Sequence, residues 1–386
     1  MYKAIDYFDI ECELSSQARL IRDTVRDFVQ REFLPVVRDH YRSGSFPLQL
    51  VATMGKLGLF GASLSGYGLP GIDSTSYGLM MQELERGDSG LRSFVSVQGS
   101  LVMYPILRYG TEAQKERWLP ELASGRAIGC FGLTEPDHGS DPAGMLTHAL
   151  KQGSDYLLSG VKMWVTNGSL ADLALVWAKL DGEIRAFLVE RGTPGFAALE
   201  IAGKLSLRAS VTSELVLDQV RIPEENLLPG ALGLKSALSC LNQARFGIAW
   251  GALGAAQACF DEALSYSRER TAFGKPVAAF QLTQAKLADM LTGITQGQLL
   301  ALQLARLKET GRLRPEQVRL AKRSNVRMAL EVARTARGIL GANGISDEYQ
   351  SMRHLCNLET VETYEGTHEV HTLVLGRDLT GCDAFS

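Results

Sequence analysis

The chain has 386 residues, 45% of them apolar and 22% charged, with a formal net charge of −3. That length can bury a large core without metal or disulfide staples and leaves room for two or three domains. There is no basic stripe of the kind a nucleic-acid partner demands, and no run of about 18 apolar residues for a membrane span.

The six cysteines (Cys12, Cys130, Cys240, Cys259, Cys356 and Cys382) form no C-x-x-C pair, as expected of scattered reduced thiols. The N-terminus has no basic start followed by an apolar stretch, so it does not read as a signal peptide, and it is too acidic for a transit peptide. The expected location is the bacterial cytoplasm, or the mitochondrial matrix if a leader has been removed.

Along the chain, the first third reads as helical. Ile21, Val25 and Phe28 share a helix face that Ser15 or Ser16 can cap. Further helices are predicted over 77–85 and from Thr111 towards Leu122. The middle third changes to short strand-like runs at 156–163, 173–177, 185–190 and 214–217, punctuated by Gly153, Gly160, Gly168, Gly182, Pro194 and Gly195. No helical pattern separates them, which predicts an antiparallel sheet or barrel. In the last third, Leu287, Met290, Leu291 and Ile294 follow helical spacing, and 317–339 reads as another long helix.

Several familiar motifs are missing. There is no G-x-G-x-x-G after a strand, no P-loop and no G-x-S-x-G elbow. His368 and His371 can share a helical face, but no carboxylate or cysteine cluster beside them suggests a metal. They read as hydrogen-bonded histidines near a pocket.

Four stretches can carry chemistry. Residues 131–141 (FGLTEPDHGSD) are mostly turn formers and hydrogen-bonding groups, able either to link helices to sheet or to hold a polar ring and a thioester carbonyl. Trp164, in WVTNG, can stack on a cofactor ring or sit in the core. Arg270, in RERTAFGKP, can grip a pyrophosphate bidentately or be a solvated surface charge. Glu365, in TYEGTHE, lies between an aromatic residue and a glycine. An apolar wall raises a carboxylate pKa, and Gly366 permits close approach, which suits a base that removes a proton α to a carbonyl. The alternative is a helix N-cap region in which Thr363 and Thr367 satisfy backbone groups.

Taken together and in order, these stretches resemble the acyl-CoA dehydrogenase family, from about Phe8 to Phe385. Within it the chain is most similar to the glutaryl-CoA dehydrogenases, on ERGDSGLRS (85–93), SVQ (96–98), LNQAR (241–245), GISDE (344–348) and YEGTH (364–368). The resemblance implies an α+β fold with an N-terminal α-helical domain (1–127), a middle β-barrel domain (128–230) and a C-terminal four-helix bundle (231–386). It also implies FAD, a homotetramer and electron-transferring flavoprotein as the electron acceptor.

Carried over by residue, it implies that Glu365 is the catalytic base. Glu85, Arg92, Ser93, Ser140, Leu241, Asn242, Arg245 and Gly366 would contact the acyl-CoA, with Arg92 on the distal carboxylate of glutaryl-CoA and Glu85 sharing that arginine. Phe131, Leu133, Thr134, Gly139, Ser140, Trp164, Val165, Thr166, Arg270, Phe273, Gln281, Gly338, Gly341, Ala342, Thr367, Glu369 and Phe385 would contact FAD, several of them across a subunit interface. Two positions depart from the family pattern: Leu91 stands where a tyrosine is usual, and Gly341-Ala342 replaces a Gly-Gly pair. The implied reaction is α,β-dehydrogenation with loss of CO2 to give crotonyl-CoA. Oxidation without decarboxylation, another short acyl-CoA, an acyl-CoA oxidase and a non-catalytic flavoprotein are the competing readings.

Overall fold

The computed structural model describes residues 5–385. The N-terminal reading above begins on residues 1–4, which lie outside that range.

The first part of the chain is helical, with α1 at Ser16–Phe28, α2 at Leu34–Ser43, α3 at Val51–Lys56, α4 at Ser74–Gly87, α5 at Ser89–Ser96, α6 at Tyr104–Tyr109 and α7 at Glu112–Ser124. A small hairpin of β1 (Ser65–Gly66) and β2 (Leu69–Pro70) interrupts them. The predicted cap of α1 forms, and the structure adds one on α7. The Ser15 hydroxyl accepts from the Ala18 N–H at 3.1 Å, and Thr111 and Gln114 make a reciprocal capping box that satisfies two orphan donors. Val25 and Phe28 are buried on the predicted face of α1.

Seven strands follow: β3 at Gly129–Gly132, β4 at His148–Gln152, β5 at Asp155–Thr166, β6 at Leu173–Leu180, β7 at Glu183–Glu190, β8 at Phe196–Glu200 and β9 at Thr212–Pro223. They form one sheet that curls until β7 touches β9. Most neighbours are antiparallel, as expected. Two pairings are not: β3 runs parallel to the start of β6, and β4 runs parallel to its end. The sequence could not show this, because the returning connections are loops and irregular chain rather than helices. The concave face holds Tyr156, Leu158, Phe187, Leu215 and Leu217 in one cluster.

The last part contains α8 (Leu234–Glu269), a hairpin of β10 (Thr271–Ala272) and β11 (Lys275–Pro276), then α9 (Gln281–Glu309), α10 (Pro315–Ile339), α11 (Ser351–Thr363) and α12 (His368–Thr380). α8 to α11 pack as a bundle around Ile248, Ala252, Met290, Ile294, Val326 and Ala333. Of the predicted face of α9, Met290 and Ile294 are buried, while Leu287 and Leu291 pack partly buried at its edge.

α8 also packs along α4, and glycine makes that approach possible. A Cβ on Gly254 would stand 1.8 Å from the Gln82 carbonyl oxygen, and one on Gly251 would stand 2.0 Å from Glu85 Oε2. This close contact joins the N-terminal helices to the bundle and places the first side chains of the site.

Candidate active site

Glu365 lies in the turn between α11 and α12. Tyr364 is extended, Glu365 is left-handed at φ 53° and Gly366 has φ 98°. A left-handed non-glycine residue carries steric strain, so the surroundings must hold it in place. Three carbonyls of the turn are held by cations. Arg245 Nε donates to the Glu365 carbonyl at 2.6 Å, and the Lys322 ammonium donates to the carbonyls of Tyr364 and Gly366. Beyond the turn, Thr367 caps α12 by accepting from the Val370 N–H at 3.2 Å. The capping alternative is therefore also present, alongside the acid rather than instead of it.

The carboxyl of Glu365 is enclosed, and its Oε2 has no hydrogen-bond partner. Burial pushes its pKa up. Arg92, Arg245 and Lys322 pull in the opposite direction without reversing the shift. Arg245 is 3% exposed and anchored by Nη1 to Asn242 Oδ1 at 2.8 Å; burial lowers its pKa to about 9. Leu241 and Asn242 are half-buried on the first part of α8.

Arg92, on α5, is fully buried. Its Nε donates to Glu85 Oε2 at 2.7 Å, and Nη2 donates to the Tyr364 hydroxyl. Its Nη1 has no partner. Although α4 and α5 are broken at Asp88, Glu85 still reaches Arg92, and Glu85 Oε1 is occupied by the Ser89 hydroxyl at 2.8 Å. Burial works against the charge on Arg92, but Glu85 and Tyr364 hold its pKa above the ordinary arginine value. Read as a salt bridge, Arg92 is a buried structural one with Glu85 and not a surface one, while Asp88 pairs with Arg353 instead. Tyr364 directly precedes Glu365, so its hydroxyl ties Arg92 to the turn that carries the acid. Ser93 and Leu91 are buried on the same helix.

The loop after β3 lies on the sheet side. Phe131 and Leu133 turn their side chains into the core, Phe131 against Trp177 with ring centroids 6.1 Å apart, so a ligand could meet only their backbone. The Thr134 carbonyl accepts from the Met163 N–H at 2.8 Å, which fixes the loop to β5. Next to Met163 the strand bulges, and Trp164 is thrown outward at φ 61° with 61% of its surface exposed. Val165 is buried, Thr166 half-buried, and Gly139 and Ser140 exposed.

At the far end of α8, Arg270 is exposed and its guanidinium has no partner among the described residues. Phe273 is 96% exposed at φ 50° on the tip of the β10–β11 hairpin, and Gln281 is exposed at the start of α9. The turn 341–345 reaches the same end: Asn343 Nδ2 donates to the Tyr266 hydroxyl at 3.1 Å, while the Tyr266 carbonyl accepts from the Arg270 N–H. Gly338, Gly341 and Ala342 are exposed there. Thr367 and Glu369 begin α12, and Phe385 is exposed near the end of the chain. No hydrogen bond joins the Arg270 group to Trp164 or Thr134 within the described residues.

An outward-facing indole, an open loop of backbone amides beside it and an unpartnered guanidinium suit the ring and phosphates of a flavin dinucleotide. No group of three or more histidine, cysteine, aspartate or glutamate residues that could hold a metal occurs among the described residues. His371 is buried against Gly366, and burial first, then Lys322 and Arg245, push its pKa to about 2.

Sequence reasoning missed two buried lysines. Lys162 pairs with Glu135 at 2.8 Å under the loop; burial opposes the charge on Glu135, but the Leu146 and Thr147 N–H groups and Lys162 hold its pKa at about 2. Lys322 is the other. Its signal was its place on the buried face of α10 with Val318 and Val326, at a spacing of four.

Three family models match in order: the acyl-CoA dehydrogenase N-terminal domain over residues 15–126, the middle domain over 130–220 and the C-terminal domain over 232–380. The short-chain specific acyl-CoA dehydrogenase of Bos taurus is 38% identical over 378 residues, covering 95% of this chain and 91% of its own. A crystal structure of glutaryl-CoA dehydrogenase from Mycobacterium smegmatis is 57% identical with a TM-score of 0.97, covering 98% of both chains. A second structure from that organism, in complex with FADH2, is 55% identical with the same TM-score and coverage. The chain belongs to the acyl-CoA dehydrogenase family and is an FAD-dependent dehydrogenase.

Proposed function

We propose that this enzyme oxidises glutaryl-CoA at its α,β bond and decarboxylates the product to crotonyl-CoA, passing electrons to electron-transferring flavoprotein. The observation that carries this reading is Arg92. A guanidinium shut away from water, with one nitrogen unpartnered, implies an anionic ligand, because an unmatched buried donor is costly. It is tied through Tyr364 to the turn that carries Glu365, so one substrate can meet both. A distal carboxylate on an acyl chain fits the guanidinium, and the α carbon of the thioester fits the carboxylate.

In this reading Glu365 takes the α proton. Bound FAD supplies the acceptor for the β hydride. The substrate carboxylate is then vinylogous to the thioester. Its C–C bond breaks, CO2 leaves, and the electron pair passes into a dienolate stabilised on the thioester oxygen. Protonated Glu365 returns its proton to the γ carbon, giving crotonyl-CoA. Glu85 competes with the substrate for Arg92, which loosens the grip on the departing carboxylate. Leu241, Asn242 and Arg245 line the thioester arm with Ser140; Ser93 lies on the helix of Arg92, and Gly366 leaves room beside Glu365.

For FAD we assign Arg270 and Gln281 to the phosphates, Trp164 with Thr134 and Thr166 to the ring, and Gly338, Gly341 and Ala342 to a neighbouring subunit's cofactor. The names of the curated relatives favour a second reading, a short-chain acyl-CoA substrate. Mass spectrometry of the products from glutaryl-CoA and butyryl-CoA decides between them. Crotonyl-CoA with CO2 from glutaryl-CoA is expected. Glutaconyl-CoA as the end product would mean oxidation alone, and turnover of butyryl-CoA only would establish the short-chain reading. Assays with electron-transferring flavoprotein and with oxygen as sole acceptor separate a dehydrogenase from an oxidase.

A further inference from the structure

Removing an α proton requires more than a base, since the charge arriving on the thioester oxygen must meet a donor already in place. The turn at Glu365 contains such a donor, and it is held from behind. Lys322 is 1% exposed and reaches from α10 to the Tyr364 carbonyl and, at 2.6 Å, to the Gly366 carbonyl. A trans peptide points its C=O and N–H in opposite directions, and the described chain has no cis peptide. Holding the Tyr364 carbonyl against Lys322 therefore turns the Glu365 N–H to the opposite side. That N–H has no hydrogen-bond acceptor among the described residues.

We propose that Lys322 is a positioning residue for proton removal: its ammonium aims and polarises the Glu365 N–H, which receives the developing charge on the thioester oxygen. The inference rests on the assignment of Glu365 as the base. In the step, the α C–H bond breaks and the proton goes to the Glu365 carboxylate. The electron pair moves into the enolate, whose oxygen accepts from the Glu365 N–H. A cation on the carbonyl of a peptide strengthens donation by the N–H of the same peptide, because chained hydrogen bonds polarise one another. If Lys322 merely capped the end of α11, it would need only the Tyr364 carbonyl. It also holds the Gly366 carbonyl, beyond the helix, and Arg245 holds the Glu365 carbonyl between them, so the backbone on both sides of Glu365 is fixed.

The test isolates proton removal from oxidation. A glutaryl-CoA analogue with sulfur in place of the β carbon has no hydride to give, so its chemistry stops at the enolate. Its α protons exchange with D2O, and mass spectrometry of the recovered thioester reads the rate. Lys322→Met, flavin-loaded and with its dissociation constant for the analogue within about threefold of wild type, is expected to exchange about 10–100-fold more slowly, below the full cost of deleting an oxyanion donor. Exchange at the wild-type rate in that variant would overturn the inference.

Glu365→Gln is measured alongside. If it still exchanges at the wild-type rate, the base assignment itself is wrong. If it is inert while Lys322→Met is unaffected, only the role of Lys322 falls. Should Lys322→Met fail to load flavin, a crystal structure of the wild type with the analogue decides. A thioester oxygen at about 2.7–3.1 Å from the Glu365 nitrogen supports the inference, and one pointing elsewhere overturns it.

Discussion

At the scale of single residues, the site is a balance of burial against charge. Arg92 stays ionised in the interior because Glu85 and Tyr364 already occupy two of its three nitrogens. Arg92→Gln is expected to raise KM for glutaryl-CoA while sparing an uncharged acyl-CoA of similar length, a difference of about 1.5–3 kcal/mol for a hydrogen bond to a charged group. Equal losses on both substrates would make Arg92 purely structural. Glu365 must be ionised to accept a proton, and burial raises its pKa. Flavin reduction is therefore expected to fall as pH drops through a value above the ordinary glutamate pKa of about 4.3. Arg92 pulls that pKa down, so Arg92→Gln moves the acid limb to higher pH. Stopped-flow rates across pH check both, and a limb that moves to lower pH in the variant would contradict the electrostatic account.

At the scale of elements, the contact between α4 and α8 sets the geometry of the acyl end. Gly251 faces the Glu85–Arg92 pair, whereas Gly254 faces the backbone of Gln82 and Arg86. Both Gly251→Ala and Gly254→Ala overpack the contact and are expected to lower stability, by about 1–3 kcal/mol each as core overpacking usually does. Only Gly251→Ala displaces Glu85, so only it is expected to change the ratio of glutaryl-CoA to butyryl-CoA turnover. Denaturant midpoints and the two kcat/KM values separate these effects. A parallel change of the ratio in both variants would show that the helix spacing, rather than the ion pair, governs selectivity. The β10–β11 hairpin behaves differently, since Phe273 at its tip and Arg270 just before it stand in solvent. Arg270→Ala is expected to weaken retention of FAD by removing a charge-assisted phosphate contact, without loss of helical content. Unchanged flavin content after gel filtration would remove Arg270 from the cofactor site.

At the scale of the whole molecule, the exposed groups at the end of the bundle make sense in an assembly. Phe273, Leu282 and Ile345 are large apolar side chains left in solvent near the Arg270, Gln281 and Gly341 group. Isolated apolar residues are common on surfaces, but several around one proposed cofactor site would suit contact with another copy. We expect the purified protein to be a homotetramer of the 42.1 kDa subunit with about one FAD per chain. Light scattering with flavin quantification measures both, and a flavin-replete monomer would rule out a cofactor shared between subunits.

The sequence by itself determined the order of domains, the cap of α1, the long helices of the bundle and the loops after β3 and β5. These depend on local spacing: a helical period, a turn former, a hydroxyl just before an apolar stripe. Glu365, Arg92 and Arg270 were legible because they stand in short characteristic runs of residues. Tertiary structure alone decided the rest. The parallel pairings of β6 with β3 and β4 depend on how irregular connections return. The burial of Arg92 depends on Tyr364, 272 positions away, and on a helix approach that glycine allows. Lys162 and Lys322 stand in no motif, and only the closed sheet and bundle show what holds them. A buried cation is specified by its distant acceptors, and no periodicity in the chain encodes where those acceptors will be.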